Sequence, residues 1–115
     1  MKILVCGGRN YNDFDKMCQV LDPIVQSIGE LSTIISGCAR GADTLAIEYA
    51  LMNSMNIEKY PADLKKWGRG EGHIRNQQML DEGKPDLVVA FPGGKGTTNM
   101  IHRAKKTGVE VLVIE

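Results

Sequence analysis

Residues 86–100, DLVVAFPGGKGTTNM, decide the fold of this chain. Residues 87–91 form a continuous apolar run rich in β-formers, and a strand with two apolar faces is typical of a central position in a parallel sheet. Residues 92–97 follow with three glycines, so the backbone can bend sharply there. A helical pattern then begins at Thr97 or Thr98 and runs to Lys106. The stretch therefore predicts a buried strand that leads through a tight turn into a helix.

The turn predicts an anion-binding site. Glycine-rich turns expose backbone N–H groups, and the N-terminus of a helix carries a partial positive charge. A turn that delivers a helix N-terminus therefore places free amides where a phosphate can accept hydrogen bonds from them. The alternative is a tight turn without a ligand, with Lys95 as a solvated tip. The candidate ligand-binding residues of the turn are Pro92, Gly93, Gly94, Lys95, Gly96, Thr97 and Thr98.

The rest of the chain alternates strand and helix. The predicted strands are 2–6, 32–35, 57–60, 87–91 and 110–114, and the predicted helices are 15–28, 43–55, 73–82 and 97–106. Pro23 predicts a kink or a late start of the first helix, and Gly29 and Gly108 are the predicted stops. Residues 62–72, ADLKKWGRGEG, are basic and glycine-rich, which predicts a surface loop with Trp67 as a lid or interface residue.

Five strands that alternate with four helices predict an α/β fold, a doubly wound three-layer sandwich with a mainly parallel five-stranded sheet. The 115 residues are enough for one domain, which would span 1–115. Right-handed crossovers place every strand-to-helix loop at the carboxyl edge of the sheet. The loops 7–13, 36–43, 61–72 and 92–97 are therefore expected to meet at one crevice.

Composition excludes several classes of protein. The chain has 14 basic and 14 acidic residues and no net charge, so no general field attracts nucleic acid or an acidic membrane. The apolar runs are too short to span a bilayer, and Met1 leads directly into a strand without the regions of a signal peptide, which predicts a cytoplasmic protein. Three widely spaced cysteines indicate reduced thiols, and no metal site is predicted.

Several residues of the other loops are candidates for ligand contact. Arg9 and Arg40 lie in loops at the sheet edge, where guanidinium groups suit a phosphate, although Asp13 and Asp43 could instead pair with them. Tyr11 could belong to the core or could stack on a base. Asp43 is predicted to be the N-cap of its helix, with contact to ribose hydroxyls as its functional alternative. The further candidate ligand-binding residues of these elements are Gly8, Gly37, Gly41, Arg75 and Asn76.

Four motifs together carry a resemblance to a known family. They are GGRNY at 7–11, SGCARGAD at 36–43, PADLKKWGRGEGHIRNQQM at 61–79 and FPGGKGT at 91–97. In this order they resemble the YspA-type, cpYpsA-related branch of the SLOG superfamily, over nearly the whole chain. The superfamily includes phosphoribohydrolases that activate cytokinins, the DNA-processing protein DprA and sensors of NAD-derived signals. The resemblance implies a Rossmann-like fold that binds a nucleotide or nucleotide derivative at the PGGxGT turn.

The resemblance departs from the phosphoribohydrolases at one position. Their signature is PGGxGTxxE, and the position of the glutamate is Met100 here, a side chain that cannot act as an acid, a base or a counter-charge. The helical run from His73 to Met79 aligns with theirs and puts Arg75 in the place of their arginine. Arg75, Glu71 and His73 are the candidate catalytic residues that remain, with Glu71 and His73 placed in the loop.

Cys38 replaces a glycine of the usual SGGARGAD form in these relatives. If the glycine serves a positive φ, cysteine is strained there. A thiol at a loop that leads into a helix could also have a lowered pKa and be oxidised. The alternative is a small buried residue without a chemical role.

These observations predict a protein that binds a nucleotide-derived ligand, ADP-ribose-like or a nucleoside phosphate, as a sensor or a sequestering protein, without a cofactor. The alternative is a nucleotide N-glycosidase of the phosphoribohydrolase type that uses Glu71, Asp43 or His73 in place of the missing glutamate. Binding of single-stranded DNA is disfavoured by zero net charge and few aromatic residues. Because relatives self-associate, we expect a homodimer or a higher homo-oligomer, with Trp67, Met79 and Met100 at the interface.

Overall fold

The computed structural model describes residues 1–28, 32–61 and 71–115 of the chain. In this part of the chain, strands and helices alternate throughout. In chain order the elements are β1 (Lys2–Cys6), α1 (Phe14–Ile28), β2 (Thr33–Ser36), α2 (Ala42–Met52), β3 (Asn56–Lys59), α3 (Glu71–Gly83), β4 (Leu87–Ala90), α4 (Lys95–Thr107) and β5 (Glu110–Val113). The predicted stop at Gly29, most of the loop 62–72 and Trp67 lie outside the described residues.

The five strands form one sheet in the order β3-β2-β1-β4-β5, and every neighbouring pair is parallel. The predicted Rossmann-like doubly wound fold is therefore confirmed. β1 is the middle strand of the sheet. β4 lies next to β1, between β1 and β5, and is buried along its whole length. The chain winds from β1 towards one edge and from β4 towards the other. The direction of winding thus changes between β1 and β4, which is where ligands bind in folds of this kind.

Two layers of helices cover the two faces of the sheet. On one face, Met17 and Leu21 of α1 and Ala46 and Tyr49 of α2 pack on alternate strand residues such as Val89. On the other face, the buried side chains of α3 and α4 pack on the intervening strand residues. That second cluster consists of Leu4, Cys6, Ile35, Met79, Leu80, Val88, Ala90, Met100 and Ala104. Because both faces are covered, the inner strands consist of continuous apolar runs.

The position of two methionines corrects the predicted interface. Met79 is 2% exposed and Met100 is 1% exposed, and both belong to the core cluster under α3 and α4. Side chains that are already packed inside one chain cannot form a surface between two chains. The prediction of a homodimer or a higher oligomer stays a prediction, but Met79 and Met100 are not its contact residues.

Several predicted boundaries shift by a few residues. Helix α1 continues through Pro23, so it has no late start. Helix α2 ends at Met52 because Ser54 adopts a left-handed φ of 54°, after which Met55 returns to the core. Gly108 ends α4 with a φ of 88°, as predicted. No helix among residues 1–28, 32–61 and 71–115 has both the length and the apolarity needed to cross a membrane.

Candidate ligand-binding site at the carboxyl edge of the sheet

Hydrogen bonds join the loops that follow β1, β2 and β4. The N–H of Gly8 donates to the carbonyl of Pro92 over 2.9 Å, and the carbonyl of Gly8 accepts from the N–H of Ala42 over 3.1 Å. Gly41 lies directly against this contact with a φ of 83°, a conformation that glycine adopts without strain. The loop after β1 is therefore held between the other two. The predicted convergence of these three loops at one edge is observed.

The glycines of the turn 92–97 have different packing environments. A Cβ atom added at Gly93 would lie 2.3 Å from Oγ1 of Thr97 and 2.5 Å from the backbone N of Gly8. The same atom added at Gly94 or Gly96 would meet no atom of the described part of the chain within 4 Å. Gly93 thus allows the close approach of two loops, whereas Gly94 and Gly96 face open space.

Helix α4 begins inside this turn, two residues earlier than predicted. Its N-cap is Gly94, and the N–H of Thr98 donates to the Gly94 carbonyl over 3.1 Å as the first helical bond. Among the described residues, no side chain caps the helix. The amides of its first turn, at residues 95–97, are therefore the donors that a helix N-terminus leaves for a ligand.

An open groove of about 620 Å³ lies beside these amides. It is lined by His73, Gly93, Gly94, Lys95, Thr98, Asn99 and His102. Among the residues whose side chains the structure describes, its charged and titratable lining groups are one lysine and two histidines, without a carboxylate. The groove is therefore compatible with an anion.

Arg75 and Asp43 lie on either side of Gly37. Nη1 of Arg75 donates to the Gly37 carbonyl over 3.0 Å. A Cβ atom on Gly37 would lie 2.9 Å from Oδ2 of Asp43 and 3.0 Å from Cζ of Arg75. The guanidinium of α3 and the carboxyl of α2 therefore need a residue without a side chain between them. In addition, Nε of Arg75 is buried and has no hydrogen-bond partner among residues 1–28, 32–61 and 71–115.

Asp43 is not the N-cap of α2. That position belongs to Gly41, and Asp43 is the second helical residue, where its Oδ2 accepts from the N–H of Ala39 over 3.2 Å. Burial raises the pKa of the Asp43 carboxyl to about 6, opposed by Arg75, the Ala39 N–H and Arg9. A carboxyl with a pKa near neutrality can exchange a proton under physiological conditions.

The two loop arginines are exposed at the same edge. Neither Arg9 nor Arg40 forms an ion pair with its neighbouring carboxylate, Asp13 or Asp43. Asp13 instead caps α1, since its Oδ1 accepts from the N–H of Lys16 over 3.0 Å. Tyr11 is partly buried and packs on Phe91, with 5.2 Å between ring centroids. This contact places Tyr11 at the margin of the core.

Cys38 has a φ of 65°, which is the left-handed conformation. This is the positive φ that the glycine of the usual SGGARGAD form would serve. Its N–H donates to Oγ of Ser36 over 3.2 Å. Burial raises the pKa of the Cys38 thiol, and the nearby backbone of Tyr60 and the charge of Lys59 only oppose this effect. The expectation of a lowered pKa is therefore wrong. All three cysteines are free thiols.

The candidate residues of α3 do not lie in a loop. Glu71 and His73 belong to the first turn of α3, and the side chain of His73 lines the groove. Asn76 is 5% exposed, and its Nδ2 donates to the Gly96 carbonyl over 3.2 Å and to Oδ1 of Asn99 over 3.1 Å. Asn76 thus contacts the turn 92–97 from the buried side of the turn.

The model of the YspA, cpYpsA-related SLOG family matches residues 1–67, more than half of the 115 residues. The chain belongs to this SLOG family. It is also 29% identical over 118 residues to the Gene 61 protein of Mycobacterium phage D29, covering 96% of this chain and 94% of the phage protein. The name of the phage protein specifies no activity.

The match to the SLOG family covers only part of the candidate site. Residues 1–67 include the loops 7–13 and 36–43, with Gly8, Gly41 and Asp43. The turn 92–97 and Arg75 lie beyond the matched residues. For the turn and Arg75 of this SLOG protein, the evidence for a ligand site is the geometry of the turn and of α3.

Two groove residues of this SLOG protein are marked by no sequence motif. Asn99 and His102 follow Lys95 by four and seven positions on α4, so they share one side of the helix with the turn. Extending the helical spacing from the glycine turn would have identified both residues. Nε of Arg103, on the same helix, donates to Oδ1 of Asn99 over 2.9 Å.

Proposed function

We propose that this chain binds a nucleotide or a nucleotide-derived ligand, such as a nucleoside phosphate or an ADP-ribose-like molecule, and that it acts as a sensor or a sequestering protein. The phosphate would bind the first-turn amides of α4. The observation that carries the proposal is the N-terminus of α4, which no side chain of the described residues caps and which opens onto a groove of about 620 Å³. Membership of the SLOG family is consistent with a nucleotide-related ligand.

Electrostatics support a phosphate at this place. The N-terminus of a helix carries about half a positive charge, and its free amides are aimed along the helix axis. Lys95, on the first helical residue, adds a full positive charge beside the groove. Because the chain has no net charge, this local arrangement supplies the attraction for an anion.

The size of the groove supports a ligand larger than phosphate. Small-molecule sites in proteins span roughly 300 to 1,000 Å³, and this groove holds about 620 Å³. Arg9, Arg40 and Tyr11 lie in the neighbouring loops at the same sheet edge. They are the side chains that we expect to contact the sugar, the base or a second phosphate.

Titration calorimetry with AMP, ADP-ribose and NAD tests the proposal, with thermal unfolding as a second readout. We expect one of these compounds to bind and to raise the unfolding temperature, since a ligand at a hundred times its Kd stabilises the folded state by about 2.7 kcal/mol. No binding and no stabilisation by any of the three would refute the proposal.

Two variants locate the site. Gly94→Val adds a side chain at a residue that lines the groove, and its Cβ would meet no atom of the described residues within 4 Å. We expect it to weaken binding by at least about tenfold, or 1.4 kcal/mol. Thr107→Val is the matched control, because Thr107 is exposed at the other end of α4 and does not line the groove. Unchanged affinity in Gly94→Val would place the ligand elsewhere.

Hydrolysis of an N-glycosidic bond is a second candidate function, favoured by the environment of Asp43. Met100 replaces the glutamate of the phosphoribohydrolases and is buried in the core, so it takes no part in chemistry. Asp43 is 7% exposed, its pKa is raised to about 6, and it lies near the arginine that aligns with theirs. A carboxyl in that environment can serve as a general acid or base.

Incubation of the protein with the same three compounds tests this second function. Release of free base that is lost in Asp43→Asn, while binding persists, is the result expected of an enzyme. Binding without release of base from any compound would leave the chain a binding protein.

A further inference from the structure

The amide of Asn76 uses both of its hydrogens inside the protein. Nδ2 donates to the Gly96 carbonyl over 3.2 Å and to Oδ1 of Asn99 over 3.1 Å. A side-chain amide nitrogen carries two N–H groups, so none is left for a ligand. Asn76 is also 5% exposed. A direct contact from this nitrogen to a bound nucleotide is therefore excluded in this conformation.

The Gly96 carbonyl belongs to the same peptide unit as the N–H of Thr97. Thr97 is the third residue of α4, and its N–H is one of the first-turn donors. A hydrogen bond accepted by a carbonyl polarises the peptide and strengthens the N–H at its other end, an effect estimated at about 10–30% per bond. The bond from Asn76 therefore makes the Thr97 amide a better donor to an anion.

A second set of bonds fixes the orientation of this amide. Oδ1 of Asn99 accepts from Nδ2 of Asn76 and also from Nε of Arg103 over 2.9 Å. Nη1 of Arg103 donates in turn to Oε1 of Gln77 over 2.9 Å. Because Asn99 presents its oxygen to two donors, Asn76 must present its nitrogen rather than its oxygen. Asn76 therefore presents its N–H groups to the turn 92–97. The amide oxygen of Asn76 in that place would repel a bound anion, whereas the N–H groups do not.

We propose that Asn76 is a positioning residue of the anion site, which holds the Gly96–Thr97 peptide and polarises its N–H towards the phosphate without contacting the ligand. This inference rests on the proposed function for its ligand. In this role the Asn76 side chain must donate a hydrogen bond to the Gly96 carbonyl. The isosteric Asn76→Asp variant should therefore fail when its carboxyl is ionised and recover when it is protonated, because only the protonated form can donate.

The first measurement uses the free protein and needs no ligand. In a ¹H–¹⁵N correlation spectrum, we expect Asn76→Ala to shift the Thr97 amide proton upfield, since the peptide loses its polarising bond. Gln78→Ala, on the same helix and also partly buried, should leave that resonance in place. An unchanged Thr97 resonance in Asn76→Ala would overturn the inference.

The second measurement is the affinity for AMP, or for whichever of the three nucleotides the wild type binds, at a temperature where each variant is folded. We expect Asn76→Ala to bind about tenfold more weakly, which is 1.4 kcal/mol. We expect the ratio of the Asn76→Asp Kd to the wild-type Kd to fall from pH 8 to pH 5. A merely structural role would lower the unfolding temperature of Asn76→Ala but leave its Kd, measured where the variant is folded, at the wild-type value.

The outcomes separate the two proposals. If the wild type binds none of the nucleotides, the proposed function fails. If the wild type binds and folded Asn76→Ala binds equally well, or the Kd ratio of Asn76→Asp does not change with pH, the inference about Asn76 fails while the proposed function stands. Should Asn76→Ala not fold, the pH series on the isosteric Asn76→Asp decides the matter.

Discussion

Gly93→Ala tests how the anion turn is built. Gly93 is where the loops after β1 and β4 come into contact, and the added Cβ would lie 2.3 Å from Oγ1 of Thr97 and 2.5 Å from the N of Gly8. Ordinary carbon contacts lie near 3.5 Å, so the overlap is about 1 Å at two places. One of the overlapping atoms is backbone, which cannot rotate away as the end of a side chain can.

The expected loss of stability follows from two contributions. Overpacking of this kind costs about 1–3 kcal/mol. Moving Gly8 away also stretches its bond to the Pro92 carbonyl, which is 2.9 Å long and is worth about 1 kcal/mol. Alanine restricts the unfolded chain and returns about 0.4–1 kcal/mol. The net loss is then roughly 2–3 kcal/mol, which for a small domain lowers the unfolding temperature by about 10 °C.

Urea denaturation followed by far-ultraviolet circular dichroism measures this loss. The matched variant is Gly96→Ala, which places the same methyl group within α4, where no atom that the structure describes lies within 4 Å of it. Because alanine favours a helix over glycine by about 1 kcal/mol, Gly96→Ala should stabilise the protein. Opposite signs for the two variants are therefore expected. Equal midpoints for Gly93→Ala and Gly96→Ala would refute the close contact between the two loops.

Two other variants probe the loop after β2. Because burial raises the folded-state pKa of Asp43 to about 6 from its ordinary value of 3.8, the folded protein binds the proton more tightly, so Asp43 should lower stability as pH rises from about 4 to 6. The loss should be on the order of 2 kcal/mol and should be absent from the pH dependence of urea midpoints in Asp43→Asn. Cys38→Gly should raise the thermal midpoint, because glycine removes about 1 kcal/mol of strain at a φ of 65°. No gain in midpoint would mean that the loop accommodates the cysteine without strain.

Much of the fold could be predicted because inner strands of a parallel sheet are apolar on both faces. The runs 2–6 and 87–91 consist almost wholly of β-formers, and their strands were placed within one residue of the observed ends. The glycine turn before α4 could be predicted for a similar reason, since three glycines in four positions have few other uses. Such signals are local, so they can be identified without knowing what packs against them.

The two aspartates show where local signals fail. Asp13 and Asp43 both precede an apolar helical pattern, and either could be an N-cap. The structure makes Asp13 the cap of α1, whereas Asp43 is the second residue of α2, with its carboxyl beside Gly37 and Arg75. The difference arises because Gly41 is held against the loop after β1, which starts α2 earlier.

The sequence assigned Met79 and Met100 to an interface between chains, but did not show that both lie in one buried cluster. The sequence could not distinguish Gly93 from the other glycines of the turn. It also could not show that Asn76 donates a hydrogen bond to Gly96, 20 residues later in the chain. The sequence pattern indicates whether a side chain is apolar enough to be buried and which local backbone conformations the residue allows. Which atoms it meets depends on the strand order and the crossing of helices, and those bring distant segments together only once the whole chain has folded.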